Sequence, residues 1–357
     1  MINDTVSKGL VAAAGGIGTF LAAREVLGRA READLRGQVA LVTGGSRGLG
    51  LGIARELADA GCKLVICARD DEELERAGAE LERRGADVLA VRCDVADQED
   101  VGRMVSAAHE AFGRIDVLVC NAGVIQVGQV HSMEVADFRQ AMDVMYWGVL
   151  YPILAVLPEM RARGQGRIAV ITSIGGKISV PYLLPYNGAK FAAVGLAEGL
   201  RAELADDGIT VTTIVPGLMR VGSYLNAMYS GDEAGREAAY KLFVPLSSLP
   251  LLTGSGEGAA RAYVRAIRRG MGEYTYPPQF GLVARLHGVA PATTTRVLGW
   301  VDRVLPKTGE GTGTESGHEI EARMEAGSTW HALTTLGRRA AQTFRERPGS
   351  TSVPDPE

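Results

Sequence analysis

From Gln38 to Gly217 the chain alternates short, valine-rich apolar runs with segments whose apolar residues recur at helical spacing, and this leaves few folds open. QVALVTG, KLVICA, DVLAVRCDV, IDVLVCNAG, GRIAVITS and ITVTTIVPG read as strands. Their near-continuous apolar character suits strands buried on both faces, as in a parallel sheet. Residues 49–60, 71–84, 98–112, 138–163 and 186–206 read as the helices between them. Right-handed crossovers make this an α/β fold, a doubly wound parallel sheet whose ligand crevice lies beyond the carboxyl ends of the strands. Thr43, Asp94, Asn121, Ser173 and Pro216 each follow a strand and so converge on one edge.

The ends are less regular. A length of 357 residues allows one large α/β domain with appendages. We expect a single main domain over 38–305 with an N-terminal extension at 1–37 and a flexible linker and tail at 306–357. Within the main domain, 218–255 is expected to fold over the crevice as a lid. EYTYP reads as a last strand, and a short helix is expected around residues 330–344. Residues 9–23 are uncharged and bounded by Lys8 and Arg24, shorter than the ~20 residues of a spanning helix. They read as a peripheral appendage that packs on the main domain or touches a membrane surface, with a signal peptide as the alternative.

Acidic and basic residues are interspersed and the formal net charge is -4, which argues against a nucleic-acid partner. Cys62, Cys67, Cys93 and Cys120 match no zinc spacing, so no metal is expected. They suit small buried hydrophobes in a reducing, cytoplasmic setting.

Thr43-Gly44-Gly45-Ser46-Arg47-Gly48-Leu49-Gly50 follows the first strand and opens the first helix. Glycines at 44, 48 and 50 let the backbone approach a pyrophosphate, and the helix offers it N–H groups and a positive dipole end. A bare turn without ligand is the alternative; its place in the βαβ series argues against that. At the end of the second strand, where NAD enzymes place an acid for the ribose 2′-OH, stand Ala68 and Arg69. A guanidinium there suits a 2′-phosphate, and Arg47 offers a second positive charge. NADP (NADPH) is therefore the expected cofactor, with NAD as the alternative. Asp70 is expected to point away from its neighbour.

Tyr186 and Lys190 are four residues apart and share a helix face. An ammonium beside a phenol favours the phenolate, so Tyr186 is expected to exchange a proton with a substrate oxygen while hydride moves at carbon. Ser173 would hydrogen-bond that oxygen.

In these features the sequence resembles the short-chain dehydrogenase/reductase family over roughly residues 38–277. The motifs are TGGSRGLG, CDV at 93–95, NAG at 121–123, Ser173 ahead of the Tyr186/Lys190 pair, and Pro216-Gly217. The resemblance implies a single Rossmann-like domain with Asp94 and Val95 against the adenine. It implies that Asn121, Ala122 and Gly123 support the cofactor and the central strand. Pro216, Gly217 and Met219 would border the nicotinamide, and Lys190 would also hold the nicotinamide ribose. It further implies a homodimer or homotetramer. Relatives carry Asn in a Val-Asn-x-x-Gly setting, where it helps hold a water between the lysine and solvent. Here the run is Val144-Met145-Tyr146-Trp147-Gly148.

Ile174, Ile178, Tyr182, Leu183 and Leu184 flank the serine and tyrosine and suggest a small apolar carbonyl or alcohol substrate. The expected activity is reduction of a ketone or aldehyde, or oxidation of the matching alcohol. A dinucleotide-binding sensor with weak catalysis is the reading from another class, and Met145 is its support. A thioether is a poor hydrogen-bonding substitute for an amide. Met145→Asn is therefore expected to raise turnover and leave NADPH affinity similar. Steady-state kinetics with NADPH titration check this, and unchanged turnover would show that the relay never needed that side chain.

Overall fold

The computed structural model describes residues 32–309, 311–324 and 328–347; the apolar stretch at 9–23 lies outside them. The chain runs β1 (Val39–Thr43), α1 (Gly48–Asp59), β2 (Lys63–Ala68), α2 (Asp71–Arg83), β3 (Val88–Arg92), α3 (Gln98–Phe112), β4 (Val117–Cys120), β5 (Gln126–Val127), α4 (Val135–Met142), α5 (Gly148–Ala162) and β6 (Gly166–Ile171). It continues with α6 (Leu184–Glu203), β7 (Ile209–Pro216), β8 (Met219–Arg220), β9 (Met228–Ser230), α7 (Glu233–Leu246), β10 (Gly254–Ser255) and α8 (Gly256–Arg268). The last elements are β11 (Glu273–Tyr276), α9 (Pro278–Val289), α10 (Pro291–Val304), β12 (Thr314–Ser316), α11 (Gly317–Arg323) and α12 (Ser328–Thr343).

Seven strands form one sheet in the order β3-β2-β1-β4-β6-β7-β11. Each neighbouring pair is parallel. The chain winds outward from β1 to β3, then returns to β4 and winds the other way. The switch point between β1 and β4 opens the crevice. Val39–Thr43 is buried at every position, as a strand covered on both faces requires. One core lies between the sheet and α3, α5 and α6, and includes Met104, Ile153 and Ala193. The other lies beneath α1, α2 and α8, and includes Leu51, Leu81 and Tyr263.

The structure departs from the sequence expectations in definite places. The helix expected at 138–163 begins at Val135, where Glu134 and Asp137 form a capping box, and Asp143–Trp147 makes a π turn between α4 and α5. The helix expected at 186–206 begins at Leu184, with Pro185 in its first turn, and ends at Glu203. Residues 32–37 pack on the domain: Leu35 is buried, and Ala33 N donates to Arg268 O at 3.0 Å.

The segment expected as linker and tail is also built into the molecule. Thr314–Ser316 pairs antiparallel with β9, and Arg236 and Arg323 each reach Glu315 at 2.7 Å. A third apolar cluster joins Tyr224, Tyr229 and Tyr240 to Ile320 and Ala341, so β12, α11 and α12 cover the region after β7. Short strands and threonine-rich turns carry no period, which is why composition alone suggested a linker.

Candidate active site

One cavity of about 840 Å³ opens at the carboxyl ends of the strands, and every cofactor and catalytic residue singled out from the sequence lines it. The glycine loop forms its floor. Gly44 and Gly48 have φ of +63° and +58°, a region that favours glycine. Asn121 Nδ2 donates to Thr43 O and Gly44 O at 3.0 and 3.1 Å, and Asn121 N donates to Thr43 Oγ1 at 2.9 Å. The ends of β1 and β4 are thereby held together. Asp94 and Val95 follow β3 along the same wall; Asp94 Oδ1 accepts from Ala96 N at 3.0 Å.

Ser173 follows β6, and its Oγ accepts from Gly175 N at 3.0 Å, which leaves the hydroxyl proton free to be donated. Tyr186 lies on α6 with Lys190 one turn on, and the Lys190 Nζ is 5.8 Å from the Tyr186 ring centroid. Lys190 is buried and donates to Ile171 O at 2.8 Å. Asn187 Nδ2 donates to Val180 O at 2.7 Å and Ser179 Oγ at 3.2 Å, which fixes the loop between Ser173 and the helix.

The electrostatics correct one expectation. Burial pushes the Tyr186 phenol up from its usual value, and a hydrogen bond from Ser173 is what pulls it down. Burial also lowers the Lys190 ammonium to about 8. Burial disfavours the charged form of both groups, so the phenol keeps its proton at neutral pH.

Two carboxylates escaped the sequence reading. Glu73 reaches Arg47 Nη1 at 2.9 Å and accepts from Ser46 Oγ at 3.0 Å. Glu346, from the segment after α12, lies 3.7 Å from Arg47 and accepts from Asn226 Nδ2 at 2.6 Å. Arg47 is therefore already paired and is not the second free positive charge expected of it. Phe344 O also accepts from Gly48 N at 2.8 Å. No local pattern foretold this, because the partners lie some 300 residues apart. Arg69 is exposed at the end of β2, lines the cavity and has no ion pair among the described residues. The Asp70 carboxylate caps α2, accepting from Glu73 N at 2.8 Å.

On the substrate side, Ile174 and Leu183 line the cavity. Ile178 and Tyr182 are buried outside that lining and Leu184 is exposed, so three of the five expected residues do not form the wall. Leu218, Val221, Phe243, Leu246 and Phe280 complete it. Met145 is fully buried in the π turn. A Cβ added at Gly123 would lie 3.7 Å from the Met145 sulfur and 3.8 Å from Lys190 Nζ, so thioether and lysine both border Gly123.

A nicotinamide dinucleotide fits these residues. Gly44, Gly48 and Gly50 put no side chain over the cavity, a helix begins at Gly48, whose own amide is taken by Phe344 O, and the cavity runs from Arg69 to Tyr186. A family model described as short chain dehydrogenase matches residues 38–228. The chain belongs to the short-chain dehydrogenase/reductase family. It is 32% identical over 282 residues to "11-beta-hydroxysteroid dehydrogenase A" of Sesamum indicum, covering 78% of each chain. It is 36% identical to "Dehydrogenase/reductase SDR family member 4" of Bos taurus, over 60% of this chain and 77% of that one.

Among solved structures, a short-chain dehydrogenase/reductase from Burkholderia phymatum in complex with NAD matches with a TM-score of 0.66 and 25% identity. That match covers 73% of this chain and 96% of the other. A short-chain dehydrogenase from Streptomyces avermitilis matches with a TM-score of 0.63 and 28% identity, over 75% and 99% of the two chains. This short-chain dehydrogenase/reductase is thus an NAD(P)-dependent oxidoreductase acting on CH–OH groups. Phe280, Phe344 and Glu346 lie beyond the span that the family model matches.

Burial pushes the Glu346 carboxyl up to about 7, against the pull of Arg47. A carboxyl that holds its proton more tightly when folded contributes stability that is fully present below its free value of 4.5 and lost as pH rises through about 7. Glu346→Gln removes that titration and keeps an acceptor for Asn226. Melting temperatures measured from about pH 4.5 to 8 should fall less steeply in the variant than in the parent. Parallel curves would show that Glu346 does not titrate there.

Proposed function

We propose that this enzyme uses NADPH to reduce the ketone or aldehyde of a small apolar substrate, or NADP to oxidise the matching alcohol. The observation that carries this reading is the shared cavity wall on which Tyr186, Ser173 and Lys190 stand beside the glycine loop. The nicotinamide cofactor supplies or accepts the hydride. Gly44, Ser46, Gly48, Leu49 and Gly50 would take its pyrophosphate end, with Asp94 and Val95 at the adenine. Asn121, Ala122, Gly123, Pro216, Gly217 and Met219 would line the way to the nicotinamide.

Tyr186 acts as general acid in reduction. A phenol held protonated by burial can donate to a carbonyl oxygen, and Ser173 donates its single hydroxyl proton as a hydrogen bond to that same oxygen. Lys190, with its proton loosened to about 8, stands one helical turn away to restore the phenol. The substrate end is walled by Ile174, Leu183, Phe243, Leu246 and Phe280, which supports an apolar substrate. Residues 218–255 supply several of these side chains and would serve as the lid.

Arg69 supports NADPH, since it faces the cavity without an ion pair among the described residues and Ala68 brings no carboxylate. NAD is the second reading, favoured by the hold of Glu73 and Glu346 on Arg47. We place the enzyme in the cytoplasm, where four buried free thiols persist. We further propose a homodimer or homotetramer through α6 and the adjoining α5, where Phe191, Leu154 and, in the π turn just before α5, Trp147 are exposed.

NADPH oxidation should follow addition of hydrophobic ketones, and Tyr186→Phe should lower turnover by about a hundredfold or more while NADPH binding changes little. Equal rates for parent and variant would refute Tyr186 as the acid, and absence of ketone-dependent oxidation in the parent would leave the sensor reading. Arg69→Asp should raise KM for NADPH by about ten- to a hundredfold, with KM for NADH nearly unchanged. Equal rises for both cofactors would refute the assignment of Arg69.

A further inference from the structure

Helices α9 and α10 bury no residue, although both carry large apolar side chains. On α9, Leu282, Val283, Leu286 and Val289 are exposed, the last by 86%. On α10, Val297, Trp300, Val301 and Val304 are exposed, Trp300 by 65% and Val304 by 81%. At 100° per residue each set forms a single stripe, at i, i+1, i+4, i+7 and at i, i+3, i+4, i+7. Helices of 12 and 14 residues are marginal alone in water, and these two pack mainly on each other and on β11. No described residue of this chain covers the stripes, so they stand open to a partner.

The charges say what that is. Residues 278–307 carry Arg285, Arg296, Arg303 and Lys307 against the single acid Asp302, in a chain of net charge -4. Asp302 pairs with Lys307 at 3.7 Å. The three arginines are exposed and have no ion pair among the described residues. Helical spacing puts Arg296 and Arg303 along one border of the α10 stripe and Arg285 along a border of the α9 stripe. A second copy related by a two-fold axis would bring like charges onto this face, whereas an anionic lipid surface accepts both the apolar stripe and its cationic border. Trp300 is the side chain that favours such an interface.

We propose that the α9–α10 hairpin docks this enzyme onto an anionic lipid surface. The hairpin is rooted in the cavity wall. Phe280 of α9 lines the cavity, and Leu305, just after α10, packs in the same cluster as the cavity residues Leu183 and Phe243. Docking therefore sets the substrate end of the cavity close to the lipid. The claim does not rest on the substrate or cofactor reading, because its test measures binding and not hydride transfer.

The full chain is sedimented with vesicles of phosphatidylcholine alone and of phosphatidylcholine with phosphatidylglycerol at about two to one. The parent should bind the anionic vesicles and lose that binding at high salt. Arg285→Gln/Arg296→Gln/Arg303→Gln should weaken binding about a hundredfold, and Trp300→Glu/Val301→Glu should weaken it at least as much, with circular dichroism unchanged. Binding that survives both variants, as it would if residues 9–23 carried it all, overturns the proposal. So does failure of the parent to bind, or a dimer by analytical ultracentrifugation that Trp300→Glu/Val301→Glu converts to monomer.

Discussion

Position 50 has no room for a side chain. A Cβ there would lie 2.0 Å from the Gly44 carbonyl oxygen and 2.4 Å from Asn121 Nδ2. This contact locks the first turn of α1 onto the loop after β1, and Asn121 ties the same loop to the end of β4. The crevice at the switch point owes its shape to these few backbone contacts. The glycine loop, the loop after β4 and the cavity floor are one rigid unit, against which Ser173, Tyr186 and Lys190 are set from the neighbouring strand and helix.

The catalytic pair shows how burial reshapes expectations drawn from spacing. Four residues of separation on a helix do put Tyr186 and Lys190 on one face. Yet enclosure in the protein raises the phenol and lowers the ammonium at once, so each favours its neutral form. Ser173 becomes more than a clamp on substrate oxygen, since its hydrogen bond is what favours the charged phenol. A serine whose Oγ already accepts from the Gly175 amide keeps its one proton to donate, to the phenol oxygen or to the substrate oxygen in turn.

Most of the sheet and the crevice was legible in the sequence because buried parallel strands write themselves as unbroken apolar runs and because glycine, asparagine and proline mark where they stop. Helix 98–112 is found within the same bounds, since Asp97 caps it and Gly113 ends it in the left-handed region. Legibility fades after Pro216. Strands β8, β9, β10 and β12 are two or three residues long, too short for a period. Helices α9 and α10 have apolar stripes that face outward, so the rule that apolar faces meet the core could not place them. Glu73 and Glu346 were hidden for another reason: ion pairs between distant segments leave no mark in either segment.

The bond from Gly48 N to Phe344 O joins the opening of the nucleotide loop to the far end of the described chain. Newly made protein emerges from the ribosome in order, so the sheet from β3 to β7 can assemble while that carbonyl is still being synthesised. During this interval one amide at the mouth of the loop stays hydrated or meets a ligand in its place. The hydrogen bonding at the nucleotide loop is therefore complete only once residues 344–346 have been made and have folded back onto it.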